Sequence, residues 1–524
     1  MDTPRRLDDP QWQKECLFSQ DKRLIEAANE LAQKIRSLPH DPSCPDTDPR
    51  ALIVGGFARD ALLGLKPKDI DLEVYGVSPE RLESLLEQLF PGKIKEVGRD
   101  FCVIKLSFGE GLAFDVSIPR RESKSGPGHK DFKVQGDPAM SLEEAARRRD
   151  FTMNSISADP LTGEYFDPFN GIHDLDQRVL RVTDHERFQD DPLRVYRAVQ
   201  FTARMGLTVD AESFTLLEEM VERGDLDFLK PERVTEELKK LLLKGEKPSL
   251  GFELARKLGI VEKYWPELHA LIGVEQEAEW HPEGDVWIHT MMVVDEAAKI
   301  VRRKEDRPGF RKWLTTEDHD QREKEETQVM LGALCHDLGK PSTTQRMEKD
   351  GVMRIRSLGH EEAGDAPTRA LCSRLSFGKD VVEAAVAVAR EHLKPFQFAK
   401  QLEDGKIDEA TYANTIRKLL KRVHPTPWYV LAAVSESDSR GRTVPGCQTK
   451  PYGPGTPLIE MVKKYRLDEA PLKKLLEGRD LIAAFGLKPG IEIGKWQKAV
   501  EEARDAGEIK TKEEALEWVR KNMG

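Results

Sequence analysis

The spacing of apolar residues divides the chain into segments. Leu24, Ala27, Leu31 and Ile35 recur every three or four positions, which predicts an amphipathic helix within Gln20–Leu38. Pro39–Pro49 is rich in proline and aspartate and reads as a linker. The pattern then tightens. Ala51–Val54 is a short apolar run, predicted as a buried strand, and Gly55-Gly56 ends it; Phe57–Leu63 follows as a helix stopped by Gly64. Asp69–Tyr75 reads as a strand and Pro79–Leu89 as a helix. Phe101–Phe108 and Leu112–Ile118 predict a hairpin across Gly109-Glu110-Gly111. Pro119–Ser141 is long and polar, contains Ser125-Gly126-Pro127-Gly128, and reads as a structureless, mobile loop.

From about Leu142 the period becomes helical. Pro168–Asp174 is a turn-rich break, and helices are predicted over Pro192–Met205, Ala211–Glu222, Pro231–Leu243 and Pro248–Leu258. A largely helical block runs from Trp265 to Arg440, with the charged stretch Arg302–Lys324 as a surface loop. Gly441–Pro457 reads as a second linker, and Leu458–Gly524 is helical again.

Composition narrows the class. A chain of 524 residues exceeds the usual single core of about 100–200, so several domains are expected. No apolar stretch approaches the roughly 20 residues that span a bilayer, and the first residues lack the apolar core of a signal peptide, so no membrane association is expected. The 6 cysteines are scattered without a C-x-x-C pair, which favours a reducing, cytoplasmic setting over a disulfide frame or zinc ribbon. With 82 Lys+Arg against 93 Asp+Glu the net charge is −11, which argues against nucleic-acid binding over the whole surface. Residues 120–149 run the other way, with 8 Lys/Arg and 5 Asp/Glu, so RNA contact is expected in a local basic groove.

Chemistry enters first at Asp69-Ile70-Asp71. On a strand, side chains alternate, so Asp69 and Asp71 share one face while Ile70 and Leu72 turn to the core. Adjacent carboxylates repel unless a cation lies between them, the arrangement that holds Mg²⁺ for in-line attack on phosphate. Asp115, in Phe114-Asp115-Val116-Ser117, can supply a third carboxylate from a neighbouring strand. The Gly55-Gly56 turn, 13 residues before Asp69, offers bare backbone N–H groups to a triphosphate, with Arg59 adding charge.

Ile53–Gly64 followed by Lys68-Asp69-Ile70-Asp71-Leu72 resembles the head of class II tRNA nucleotidyltransferases and bacterial poly(A) polymerases. The likeness continues through Arg147-Arg148-Arg149-Asp150-Phe151-Thr152-Met153-Asn154, where it implies that Asp150 and its arginine neighbours read ribose hydroxyls. It extends over Asp167–Gly171 with Asp174-Leu175 as a hinge motif, over Arg187–Ala198 as the base-reading motif, and over Glu232–Glu237 as the helix that follows. The resemblance implies a nucleotide site made of Gly55, Gly56, Arg59, Arg148, Arg149, Asp150, Asn154, Asp191, Arg194 and Arg197. Asp191 and Arg194 lie three apart at a helix start. A carboxylate accepts from an exocyclic amine and a guanidinium donates to a ring acceptor, so this pair can select C and A against G and U. Asp190 stands where the family commonly has Glu, Gln200 where it often has Arg, and Glu73 and Tyr75 where smaller residues are commoner.

A second constellation lies downstream. His336-Asp337 ends the apolar stretch Val329–Gly339, and adjacent buried His and Asp are costly without a partner such as a divalent cation. Together with His289 and Asp438, the ordered set His…His-Asp…Asp resembles the HD phosphohydrolase superfamily, and most of all the HD domain of bacterial CCA-adding enzymes. That likeness implies His289, His336, Asp337 and Asp438 as ligands of a divalent Mg, Mn, Ni or Co ion. His360 and His392 would hold a second metal or the phosphate, and Lys340 would contact phosphate. It also implies hydrolysis of 2′-phosphates or 2′,3′-cyclic phosphates. Gly478–Ile482, Gly486–Gly490 and Ile493-Gly494 resemble the tail of bacterial members.

The expected architecture is α+β. A mixed-sheet nucleotidyltransferase head of the polymerase β-like kind (48–170) follows an N-terminal extension and linker (1–47). An elongated all-α neck and body (171–264), an all-α HD domain (265–442) and a helical tail (443–524) complete it. The resemblance implies addition of C and A to a tRNA 3′ end from CTP and ATP, with Mg²⁺ on Asp69 and Asp71. A poly(A) polymerase, an enzyme adding only C or only A, and an HD phosphohydrolase or nucleotide-binding regulator with an inactive head are the alternatives.

Overall fold

The computed structural model describes residues 7–67, 69–98, 103–109, 112–124, 132–302, 318–349, 351–447, 455–465, 475–505 and 508–523. The chain folds as two compact units, Met1–Pro266 and Glu267–Gly524.

The first unit begins with α1 (Pro10–Phe18) and α2 (Lys22–Arg36), each capped by an aspartate side chain, Asp9 and Asp21. The apolar stripe of α2 is fully buried at Leu24, Leu31 and Ile35, and the helix packs on β1 (Arg50–Val54). Arg36 Nη2 reaches buried Asp159 Oδ2 at 2.5 Å. Asp41 accepts from the backbone N–H of Ser43 and of Ser78, both at 3.0 Å. The described part of the expected N-terminal extension and linker, from residue 7 on, therefore packs against the head.

After β1 come α3 (Gly56–Leu62), β2 (Asp69–Tyr75), α4 (Pro79–Leu89), β3 (Ile94–Gly98), β4 (Val103–Gly109) and β5 (Leu112–Ser117). The predicted β4–β5 hairpin forms, and its turn at 110–111 lies outside the described residues. A two-stranded ribbon of β6 (Arg120–Lys124) and β7 (Phe132–Gly136) follows. This corrects the expected structureless loop: its flanks pair, Arg121 Nε holding Asp137 Oδ2 at 2.6 Å, while 125–131 lie outside the described residues.

The chain continues through α5 (Leu142–Arg147), β8 (Ser157–Ala158), β9 (Tyr165–Phe166), α6 (Gly171–Asp176), β10 (Val179–Leu180), α7 (His185–Phe188), α8 (Leu193–Met205) and β11 (Thr208–Val209). It closes with α9 (Ala211–Glu222), α10 (Pro231–Lys244), α11 (Pro248–Lys257), α12 (Ile260–Tyr264) and the boundary helix α13 (Pro266–His269). The main sheet has 7 strands in the order β3-β4-β5-β2-β1-β8-β9. Two findings correct the sequence reading here. Two-residue strands extend the sheet beyond Leu142, too short to leave a period. The predicted break at Pro168–Asp174 is the start of α6, where Asp167 accepts from the N–H groups of Gly171 (2.7 Å) and Ile172 (2.8 Å).

The second unit contains α14 (Val286–Arg302), α15 (His319–Cys335), α16 (Lys340–Thr343), β12 (Thr344–Lys349), β13 (Val352–Ser357), α17 (His360–Ala363), α18 (Asp365–Arg374) and α19 (Lys379–Glu391). Then come α20 (Lys394–Glu403), α21 (Glu409–Val423), α22 (Trp428–Arg440), α23 (Gly455–Tyr465), α24 (Gly478–Phe485), α25 (Ile491–Asp505) and α26 (Lys512–Met523). α14, α15, α19 and α22 pack on one another, burying Val293, Val329, Val388 and Val434 completely. The antiparallel hairpin β12–β13 corrects the expected all-α HD domain. The predicted Arg302–Lys324 loop also shortens: α15 already begins at His319, capped by Asp318, and 303–317 lie outside the described residues, as do 448–454 of the predicted second linker. The last three helices enclose a core of their own, including Leu481, Val500, Ala515 and Val519.

One backbone approach in the head is testable. A Cβ at Gly171 would lie 2.1 Å from the Thr152 carbonyl oxygen, so backbone must move to admit it. Gly171→Ala is expected to cost about 1–3 kcal/mol, read as a lower denaturation midpoint of the head.

Candidate active site and metal centre

In the head, β2 buries Ile70 and Leu72 and exposes Asp69 and Asp71, as the alternation predicts. β2 pairs in parallel with β5, placing Asp71 opposite Asp115. The three carboxylates therefore share one sheet face. Asp71 belongs to an exposed stretch, yet its carboxyl lies in a crowded recess and is pushed up to about 6. Desolvation raises it most, Arg149 opposes, and Asp115, Asp69 and Glu73 raise it further. Carboxylates so arranged favour a bound divalent cation, and their all-oxygen donor set suits Mg²⁺.

The Gly55-Gly56 turn stands beside them. Gly55 has φ +65°, and a Cβ there would meet Arg149 Nη1 at 2.8 Å and Asp71 Oδ2 at 4.0 Å. Only glycine lets this guanidinium lie against the turn. Glu73 Oε2 lies 3.7 Å from Arg149 Nη2 and accepts from the buried Tyr75 hydroxyl at 2.7 Å. The two residues that depart from the commoner pattern thus form one side of the Arg149 socket. Arg148 Nη1 donates to the Arg120 carbonyl at 2.9 Å, tying it to the basic ribbon.

Arg59, expected to add charge beside the turn, also has partners within the head. Its side chain is buried, Nη1 donates to Asn154 Oδ1, and Nη2 pairs with Asp60 at 2.6 Å, so its charge is used inside the head. Asn154 Nδ2 in turn donates to Asp150 Oδ1 at 2.8 Å, and Arg197 Nε to Asp150 Oδ2 at 2.6 Å. Burial would raise the Asp150 carboxyl, but Arg197 and Asn154 hold it below its ordinary value. Both oxygens of Asp150 are thus engaged by protein groups.

Arg194 N donates to the Asp191 carbonyl at 3.0 Å, and both side chains have further partners. Asp191 precedes α8; its Oδ1 accepts from Leu193 N at 3.2 Å and its Oδ2 holds Arg233 Nη2 at 3.1 Å. Arg194 spans the carbonyls of Arg187 and Arg148, both at 2.8 Å. Arg233 is a residue the sequence reading missed. Only its place in the Glu232–Glu237 motif pointed to it, because 42 positions separate it from Asp191.

The second unit gathers the histidine and aspartate set. His336 and Asp337 lie in the turn that follows α15, His289 in the first turn of α14, Asp438 near the end of α22. His289 Nε2 stands 3.1 Å from Asp438 Oδ1, 3.4 Å from His336 Nε2 and 3.8 Å from Asp337 Oδ2. His336 Nε2 is 3.2 Å from Asp337 Oδ2, and His360 Nε2 is 3.5 Å from Asp337 Oδ1. The His392 ring centre lies 5.2 Å from that of His336 and 5.6 Å from that of His360. All of these groups are buried.

The imidazoles are oriented for ligation. Nδ1–H of His336, His360 and His392 donates to the carbonyls of Ala333 (2.8 Å), Ser357 (2.7 Å) and Ala389 (2.6 Å). Each Nε2 is thereby left as a lone-pair donor. Burial and the neighbouring His336 push His392 down to about 3, so it is neutral at neutral pH. Burial would raise Asp337 and Asp438, yet His336 and Lys340 beside the first, and Arg442 and His289 beside the second, hold both well below the usual carboxylate range. Both oxygens of Asp337 and Nε2 of His360 lack a well-aligned hydrogen-bond partner. Buried polar atoms left open in this way, with mixed N/O donors, fit a divalent cation. The sets His289–His336–Asp438 and His336–Asp337–His392 each converge tightly enough to hold one.

Lys340, expected to contact phosphate, sits 2.7 Å from Asp337 Oδ2 and donates to Gln276 Oε1 at 2.7 Å. Gln276, His281 and Glu283 are further residues the sequence reading missed. Glu283 Oε1 accepts from Nδ1 of both His281 and His289 at 2.9 Å.

Similar proteins place these sites in a family. Residues 51–181 match the Poly A polymerase head domain, 206–272 the probable RNA and SrmB-binding site of polymerase A, and 286–421 the HD domain. A nucleotidyltransferase head joined to an HD domain is the class of enzyme this fold defines. The multifunctional CCA protein of Xanthomonas campestris pv. campestris (strain B100) is 37% identical over 451 residues, covering 84% of this chain and 95% of the relative. That of Xylella fastidiosa (strain 9a5c) is 36% identical over 401 residues, covering 75% and 84%. The chain belongs to the multifunctional CCA protein family. The fold is also that of the Bacillus stearothermophilus CCA-adding enzyme in complex with CTP, at 21% identity, TM-score 0.60 and coverage of 96% and 98%. The Thermotoga maritima CCA-adding enzyme complexed with tRNA-CCA has 18% identity, TM-score 0.54 and coverage of 97% and 98%. No described helix is long and apolar enough to cross a membrane.

The open donors of Asp337 and His360 make metal protection testable. Ni²⁺ at about 100 times its Kd should stabilise the second unit by about 2.7 kcal/mol. Thermal unfolding with Ni²⁺ and with a chelator checks this; His336→Ala should abolish the shift.

Proposed function

We propose that the protein adds C and A to tRNA 3′ ends from CTP and ATP without a nucleic-acid template. The observation that carries this reading is the Asp69, Asp71 and Asp115 face of adjacent parallel strands beside the Gly55 turn. Asp69 and Asp71 would hold Mg²⁺, which would supply charge stabilisation for the phosphoryl transfer. The chain's own groups do the positioning. The turn, Arg148 and Arg149 would receive the nucleotide, and the basic ribbon, to which Arg148 is bonded, would contact the primer. Asp191 and Arg194 face the base: Arg233 orients the first, and two backbone carbonyls fix the second. Asp150, Asn154, Arg197 and Arg59, the other members of the proposed nucleotide site, are bonded to one another.

The HD domain is read as a hydrolase of 2′-phosphates or 2′,3′-cyclic phosphates, with His289, His336, Asp337 and Asp438 as ligands and His360 and His392 as auxiliary groups. Lys340 would have to leave Asp337 to reach a phosphate. The domain order proposed is extension, head (48–170), neck and body (171–264), HD domain (265–442) and tail (443–524). A cytoplasmic setting agrees with the scattered cysteines.

The test uses tRNAs ending before C, after C and after CC, each with one NTP at a time. C, C and then A should be incorporated in that order. Untemplated A-tails on a generic RNA would favour a poly(A) polymerase instead. Asp71→Ala should lower incorporation by about 10³-fold or more, the rate equivalent of several kcal/mol of metal stabilisation. His336→Ala with Asp337→Ala should keep full incorporation and lose phosphate release from a 2′-phosphorylated or cyclic-ended RNA. An unaffected Asp71→Ala variant would eliminate the catalytic assignment and leave the regulator reading.

A further inference from the structure

The four histidines of the HD basin do not fix their rings in the same way. His336, His360 and His392 lie at helix ends, where a carbonyl three residues back accepts Nδ1–H. His289 sits in the first turn of α14, and its backbone is already in the helix ladder, with His289 N donating to Asp285 O at 3.1 Å. Its Nδ1 meets a carboxylate instead, Glu283 Oε1 at 2.9 Å. Glu283 is itself held from two other directions. His281 Nδ1 lies 2.9 Å from the same oxygen, while Thr443 N and Oγ1 donate to Oε2 at 3.1 and 3.4 Å. Thr443 follows α22, the helix that carries Asp438, so one side chain ties both walls of the basin, at His289 and beside Asp438. The Glu283 side chain is 1% exposed, so solvent does not compete for these bonds.

We propose that Glu283 is a positioning residue that fixes the ring orientation and tautomer of His289, so that Nε2 is presented to the cation, and strengthens that nitrogen as a donor. The proposal rests on the HD metal reading above. A carboxylate behind a ligand imidazole raises its basicity and is worth about 10–100-fold in metal affinity. His281 completes the brace by sharing the carboxylate, and its ring packs edge-on against His289 with centres 4.6 Å apart.

The test is Co²⁺ titration of the full-length protein, followed by calorimetry and visible absorption. The component lost in His336→Ala defines the HD site. Glu283→Ala should weaken that component about 10–100-fold and change its band shape. Glu283→Gln, which keeps an oxygen for Nδ1–H but no charge, should fall between Glu283→Ala and the parent. Nucleotide incorporation by the head should be unchanged in both. Unaltered Co²⁺ affinity and spectrum in folded Glu283→Ala, even with lowered stability, would overturn the proposal and leave a structural role. If Glu283→Ala does not fold, Glu283→Gln decides alone, and parent-like affinity and spectrum would overturn it. A parent protein with no Co²⁺ component sensitive to His336→Ala would overturn the HD reading itself, and the proposal with it.

Discussion

Both sites depend on acidic and polar groups held closer together than water alone would hold them. At about 4 Å, two like charges repel by roughly 4 kcal/mol in a medium of effective dielectric near 20. In the head, the parallel register of β2 and β5 forces Asp71 against Asp115, with Asp69 beside them. In the HD basin, the ends of α14, α15, α17, α19 and α22 deliver histidine and aspartate to one buried place. Opposite charge is the answer to this crowding, and the protein supplies some of it as Arg149 and Lys340. A divalent cation supplies the rest with better geometry, which makes the same crowding useful for phosphate chemistry.

The surrounding structure follows from this constraint. The Gly55 turn needs its positive φ and lack of a side chain because Arg149 must lie against it while staying near Asp71. Arg149 is steadied by Glu73, and Glu73 by Tyr75, so two residues unusual at these places form one buried arrangement. Behind them, Asp150 joins Arg197 to the Asn154–Arg59 pair. This network links α8 to α3 through the turn at Thr152–Asn154. A guanidinium such as that of Arg197 is held in place by the buried carboxylate of Asp150 behind it.

Much of this was legible in sequence where the signal is local. Ala211–Glu222 is a helix at the predicted bounds, and the alternation at Asp69–Leu72 gave the correct exposed face. The His…His-Asp…Asp order pointed to the basin because each residue carries its own chemistry. What escaped was either too short or too distant. The two-residue strands β8 and β9 have no period to detect. The hairpin β12–β13 did leave a sign, Asp350-Gly351 between alternating runs, but it lay inside a helical block and was absorbed by it. Arg233 meets Asp191, and Thr443 meets Glu283, only because the tertiary fold brings distant positions together. Glu283 is a plain acidic residue until His289 is placed beside it.

Anomalous diffraction from crystals soaked in Mn²⁺ tests the central claim most directly. One peak is expected within about 2.0–2.3 Å of the Asp69 and Asp71 carboxylates, and another bounded by His289, His336, Asp337 and Asp438 with Lys340 displaced from Asp337. Crystals that bind Mn²⁺ at neither place, with Lys340 still against Asp337 and Arg149 alone facing Asp71, would contradict it.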